Sequence, residues 1–65
     1  MSAGSTIREI RTRKGLTVSQ LANMAKVGSS QLVNWENDKV SISAKNLEKV
    51  LNAMGWTLVA RKIKK

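Results

Sequence analysis

The sequence predicts an all-α fold of four amphipathic helices with a short C-terminal β-strand, in a single domain spanning residues 1–65. Three observations predict it. Apolar residues recur at helical spacing in four separate segments. Each segment has a capping or stopping residue at its ends. Only the stretch from Trp56 onward switches to the period-two alternation of a strand. A chain of 65 residues has room for one small core, which buries roughly 60% of the unfolded surface. It has no cysteine, so no disulfide or thiolate metal site supplements that core.

The first helix is read from "TIREIRTRK", with Ser5 or Thr6 as its cap, Ile7 and Ile10 facing inward, and Gly15 as a left-handed stop. Thr17 caps the second, in which Val18, Leu21, Ala22 and Ala25 sit at i, i+3, i+4 and i+7. "KVG" interrupts, and a third helix runs from about Ser29 to Asn37. At ~100° per residue, Leu32, Trp35 and Glu36 fall on one side of it, and Ser30, Val33, Asn34 and Asn37 on the other. After the loop "NDKVSI", Ser43 caps the fourth helix, whose stripe is Leu47, Val50, Leu51 and Met54 and whose stop is Gly55. The remainder, "WTLVARKI", sets Trp56, Leu58 and Ala60 against Thr57, Val59 and Arg61. It is rich in β-branched and aromatic residues and reads as a strand, with "RKIKK" as a basic tail. Such a strand has an unpaired edge, and pairing with a second copy about a two-fold axis is the simplest way to cover it.

Charge narrows the partners. Twelve Lys and Arg against four Asp and Glu give a formal net charge of +8, which calls for a polyanion, nucleic acid before membrane. A membrane-surface helix would be basic on one side and broadly apolar on the other, and no segment has that form. No apolar run approaches the ~20 residues of a span, and "MSAGST" lacks a signal peptide's apolar segment, so a cytoplasmic location is expected. Catalysis is disfavoured. There is no histidine or cysteine, and Glu9, Glu36, Asp38 and Glu48 show no pairing motif. No glycine-rich phosphate loop or metal-ligand cluster is present, so no catalytic residue, metal or cofactor is expected.

The second and third helices are both about two turns long, and the break between them is short. That combination forces a large crossing angle, the geometry of a helix-turn-helix. The stretch "GLTVSQLANMAKVGSSQLVNWENDK" resembles the helix-turn-helix of the lambda-repressor/Cro-like, xenobiotic-response-element (XRE) type DNA-binding family. The matching positions are Gly15, Leu16, Thr17, Leu21, Ala22, Val27, Leu32, Glu36, Asn37 and Lys39, and "NLEKVLNAMG" extends the likeness to about residues 7–55. The resemblance implies a four-to-five-helix lambda-repressor-like domain with its helix-turn-helix at about residues 17–37. It implies double-stranded operator DNA as the partner and a transcriptional repressor, homodimeric at a pseudo-palindromic site. Three positions depart from the family pattern. Lys26 replaces a turn glycine, Gly28 a Ser or Thr cap, and Asp38 the glycine after "EN". Lys26 either takes the left-handed region, at roughly 1 kcal/mol, or sits in an altered turn.

Roles carried over residue by residue make Ser29, Ser30, Gln31, Val33 and Asn34 the base-reading candidates. Their chemistry suits base edges, because serine donates or accepts, Asn pairs bidentately with adenine, and a Val methyl packs on a thymine methyl. An ordinary solvated helix face would instead be filled with Glu and Lys. The resemblance implies phosphate contacts at Thr17 and Asn37, with Val18 in place of a commonly polar neighbour; Lys39, just past the third helix, is well placed for a phosphate, and Lys26 and Arg13 are weaker candidates. Arg11 and Glu36 match the family's structural pair, and Trp35 reads as core because it shares a face with Leu32. Trp56, Leu58 and Ala60 are the dimerisation candidates. The strand after the fourth helix resembles that of Hip-type antitoxins, which implies a toxin protein as an alternative partner.

Overall fold

The computed structural model describes residues 2–57, in which four helices follow one another: α1 (Ala3–Arg13), α2 (Val18–Ala25), α3 (Ser29–Glu36) and α4 (Ala44–Ala53). Local chemistry explains most boundaries. Thr17 and Gln20 form a reciprocal capping box at the start of α2: the Gln20 N–H donates to Thr17 Oγ1 (3.0 Å) and the Thr17 N–H to Gln20 Oε1 (2.8 Å). Ser43 Oγ accepts from the Asn46 N–H at the start of α4 (3.1 Å). Gly15 (φ +70°) and Gly55 (φ +83°) supply the left-handed residues after α1 and α4. Lys26 also takes the left-handed region, at φ 60° and ψ 46°.

One boundary corrects the sequence expectation. The cap of α1 is Ser2, about one turn before Ser5 and Thr6, and Ser5 is instead the reciprocal partner in its capping box. Gly4, a poor helix former, hides that extra turn from a propensity argument. Its reason is tertiary: a Cβ at Gly4 would stand 2.0 Å from the Trp35 carbonyl oxygen. The third helix keeps its expected extent, ending at Glu36 with Asn37 as its C-cap and Asp38 turning the chain at φ 60°.

The expected strand is not part of the described fold. Leu58 and Ala60 lie outside the described residues, and Trp56 and Thr57 follow Gly55 as irregular chain. The Trp56 N–H donates to the Leu51 carbonyl (2.9 Å), which closes the last turn of α4, while its ring is half exposed. The expected four-to-five helices are therefore four among the described residues.

At the centre, each helix contributes one fully buried aliphatic side chain: Ile7, Leu21, Leu32 and Val50. Burying one such side chain stabilises by about 1.5–3 kcal/mol. Ala22, Ala25, Trp35, Leu51 and Met54 complete the core, and Ile10, Leu16, Val27 and Leu47 are among the half-buried residues at its margin. Helix α2 packs on α3 and α4, and α1 packs chiefly on α3. The small Ala22 and Ala25 permit close approach on α2. No described helix is long and apolar enough to cross a membrane.

Candidate nucleic-acid interface

The turn between α2 and α3 is only Lys26, Val27 and Gly28. The Val27 N–H donates back to the Ala22 carbonyl (2.9 Å), and Lys49 Nζ from α4 donates to the Lys26 carbonyl (3.3 Å). Both bonds brace the left-handed lysine. Gly28 caps α3 without a side-chain hydrogen bond. The two helices thus meet through a tight, braced turn, with Val27 packed against the core.

This geometry splits α3 into two faces. Leu32, Trp35 and Glu36 are buried. Ser29, Ser30, Gln31 and Val33 are exposed, and Asn34 is half-buried. The Asn34 carbonyl accepts from the Lys39 N–H (2.9 Å), which folds the chain back past the end of α3. Among the described residues, the Asn34 side-chain amide has no hydrogen-bond partner within the chain. The outward face therefore carries short hydroxyls, amides and one apolar methyl pair, with no charge. Such a surface offers donors and acceptors without repelling phosphate.

Glu36 anchors the rear of α3. Arg11 Nε donates to Glu36 Oε2 (2.7 Å) and a terminal nitrogen to Oε1 (2.9 Å), with the side chains only 13% and 3% exposed. The other terminal nitrogen of Arg11 donates to the Leu16 carbonyl (2.8 Å). The Glu36 hydrogen bond raises the Arg11 pKa above its ordinary value; burial opposes that shift and the carboxylate's charge adds to it. A second guanidinium joins them: Arg8 Nε lies 3.5 Å from Glu36 Oε1, and an Arg8 terminal nitrogen donates to Asn37 Oδ1.

The remaining candidates take these places. Thr17, Lys26 and Lys39 are exposed, as is Asn37, whose carbonyl end is occupied by Arg8. Sequence reasoning misses Arg8, Gly4 and Asp38 as participants around α3. A signal for the first two is available, since Gly4, Arg8 and Arg11 fall on one stripe of α1 at i, i+4 and i+7. Asp38 Oδ2 accepts from Ser2 Oγ (2.9 Å), which joins the start of α1 to the chain leaving α3. Among the described residues, no group of three or more acidic, His or Cys side chains is arranged to hold a metal.

Comparison with known proteins agrees with this geometry. A family model described as helix-turn-helix matches residues 7–62, most of the chain. No curated protein and no solved structure gives a significant match. With a two-helix unit braced by its turn, a buried Arg–Glu pair behind the third helix and a family match over this span, the chain belongs to the lambda-repressor/Cro-like, XRE-type helix-turn-helix family of DNA-binding transcription regulators.

Proposed function

We propose that the protein is a sequence-specific repressor that binds a pseudo-palindromic operator in double-stranded DNA as a homodimer and acts by occluding a promoter. Residues 1–65 form one DNA-binding domain that needs no cofactor and works in the cytoplasm. The N-terminal part of α3 enters the major groove. Ser29, Ser30, Gln31, Val33 and Asn34 read base edges there, while Thr17, Lys26, Asn37 and Lys39 hold backbone phosphates.

The observation that carries this reading is the outward face of α3, exposed yet free of charge in a chain of net +8. An uncharged polar face on a strongly basic protein is suited to selecting bases, with affinity supplied by the cations around it. Dimerisation is supported by Trp56, which stands half exposed in a groove lined by Thr6, Glu9, Ile10, Arg13 and Lys14 and precedes the candidates Leu58 and Ala60 in sequence. The antitoxin alternative rests on that tail alone, and co-purification with the product of an adjacent gene is its test.

Selection from a random duplex library, followed by sequencing of the bound fraction, tests the main reading. Enrichment of one inverted repeat is the expected result. Retention of duplexes without sequence enrichment would show phosphate binding alone and overturn it.

A further inference from the structure

We propose that Arg8 and Asn37 together form a preorganised seat for one backbone phosphate, set at the C-terminal end of α3; this rests on the DNA-binding function proposed above. Charge is the first ground. Arg11 already satisfies both oxygens of Glu36. Arg8 approaches the same carboxylate at 3.5 Å, so two guanidiniums share a single negative charge and the cluster keeps one positive charge in excess. Among the described residues, Glu36 is the carboxylate within ion-pair reach of Arg8; Asp38 keeps its charge, accepts from Ser2 Oγ and lies beyond that reach. The excess sits on the water side, because the Arg8 side chain is 51% exposed while that of Arg11 is 13% exposed.

Hydrogen bonding then decides what this surface accepts. A guanidinium has donors and no acceptor, so it must meet the carbonyl end of the Asn37 amide. That contact takes up the acceptor of Asn37 and leaves its Nδ2 group to donate elsewhere. What Arg8 and Asn37 present outward is therefore a set of N–H donors around a half-exposed guanidinium that shares its carboxylate with Arg11. Phosphate oxygens, which only accept, are its chemical complement. Guanine O6 and N7 accept as well, so the comparison of selected with random duplex below separates a phosphate partner from a base. The position fits as well: Asn37 lies on the same side of the helix axis as Ser30, Val33 and Asn34, beyond them toward the C-terminus. A phosphate held there would set the register of the reading face.

The test compares the wild-type chain with Arg8→Met, Arg8→Lys and Asn37→Ala on the selected duplex and on random duplex, over a range of salt. Arg8→Met should reduce the slope of log affinity against log salt by roughly 0.9 per protomer, the release expected for one phosphate contact, and so by about 1.8 for the proposed dimer on its full site. It should weaken both duplexes by the same factor, with little change in Tm because the side chain is half exposed. Arg8→Lys should retain the slope. Combining Arg8→Met with Asn37→Ala should weaken binding by less than the product of the two single losses, since Asn37 depends on Arg8 for its orientation. An unchanged slope in Arg8→Met, or a loss confined to the selected duplex, would overturn the seat while leaving the DNA-binding reading intact. A wild-type chain that binds no duplex would overturn that reading itself. If inorganic phosphate at matched ionic strength shifted the Asn37 amide resonances as duplex does, the seat would belong to free phosphate instead.

Discussion

Arg11 grips Glu36 with two nitrogens, at 2.7 and 2.9 Å, and holds the Leu16 carbonyl with a third. One guanidinium therefore ties together α1, the loop before α2 and the end of α3. Glu36→Ala leaves that guanidinium largely buried without its counter-charge. Breaking a buried pair from one side costs about 3–5 kcal/mol, and the residual solvent contact of Arg11 places this case near the lower end. A domain of this size has a total stability of about 3–10 kcal/mol. Thermal unfolding should show Tm falling by more than ~10 °C, with the base preference of the folded fraction unchanged. An unaltered Tm together with an altered preference would reverse the assignment.

Lys26 and Asp38 both hold φ 60°, and they should respond differently to glycine. For a non-glycine residue that region costs roughly 1–2 kcal/mol. Lys26→Gly should therefore raise stability by about 0.5–1 kcal/mol, after allowing for the greater freedom of glycine in the unfolded chain. Asp38→Gly removes the same strain but also the acceptor of the Ser2 hydroxyl, so its effect should be smaller or of opposite sign. Chemical denaturation of both variants reads the difference. Equal stabilisation would mean that the Ser2 bond contributes nothing.

Asn34 is the sharpest test of the reading face. Its side-chain amide has no partner within the described chain, so Asn34→Ala should leave Tm almost unchanged. Binding to the preferred duplex should weaken by about 1–3 kcal/mol, with relaxed preference at one base position. Random duplex should be bound as before, because phosphate contacts remain. An equal loss on both duplexes, measured by gel shift, would remove Asn34 from the readers.

The tail tests the dimer. Removing residues 58–65 keeps α1 to α4 and every proposed reader. If those residues join two copies, the truncated chain should sediment as a monomer and lose roughly 10²–10⁴-fold in affinity for a full operator. Because truncation also removes Arg61, Lys62, Lys64 and Lys65, Leu58→Lys provides a variant that keeps those cations. Inserting ~5 bp between half-sites should imitate both changes, since the half-sites then face opposite sides of the duplex. A truncated chain that remains dimeric moves the interface onto the helices.

What is legible in the sequence is what adjacent residues decide. Thr17 and Ser43 as caps, Gly15 and Gly55 as stops, and the inward face of α3 follow from spacing within one or two turns. The left-handed Lys26 needs one further input, the position of a family glycine. The start of α1 is not legible, because Gly4 looks like a helix breaker until Trp35 is seen against it. Arg8 escapes notice for a related reason. A lone arginine on α1 reads as a solvated charge, and only the approach of α1 to α3 brings it to Glu36 and Asn37.

The contact of Gly4 with Trp35, and of Ser2 with Asp38, joins parts of the chain more than thirty residues apart. Closing a loop of that length costs about 3 kcal/mol in chain entropy, whereas α2 and α3 meet across a turn of only three residues. The seam at the start of α1 should therefore open more readily than the α2–α3 turn, as a local unit ahead of global unfolding. Backbone amides of α1 near Ile7 should exchange with solvent deuterium faster than those of Leu32 and Val50, although all three side chains are equally buried. Since the seam grips the end of α3, each opening frees the rear of that helix, and DNA binding at the proposed Asn37 contact should slow that exchange.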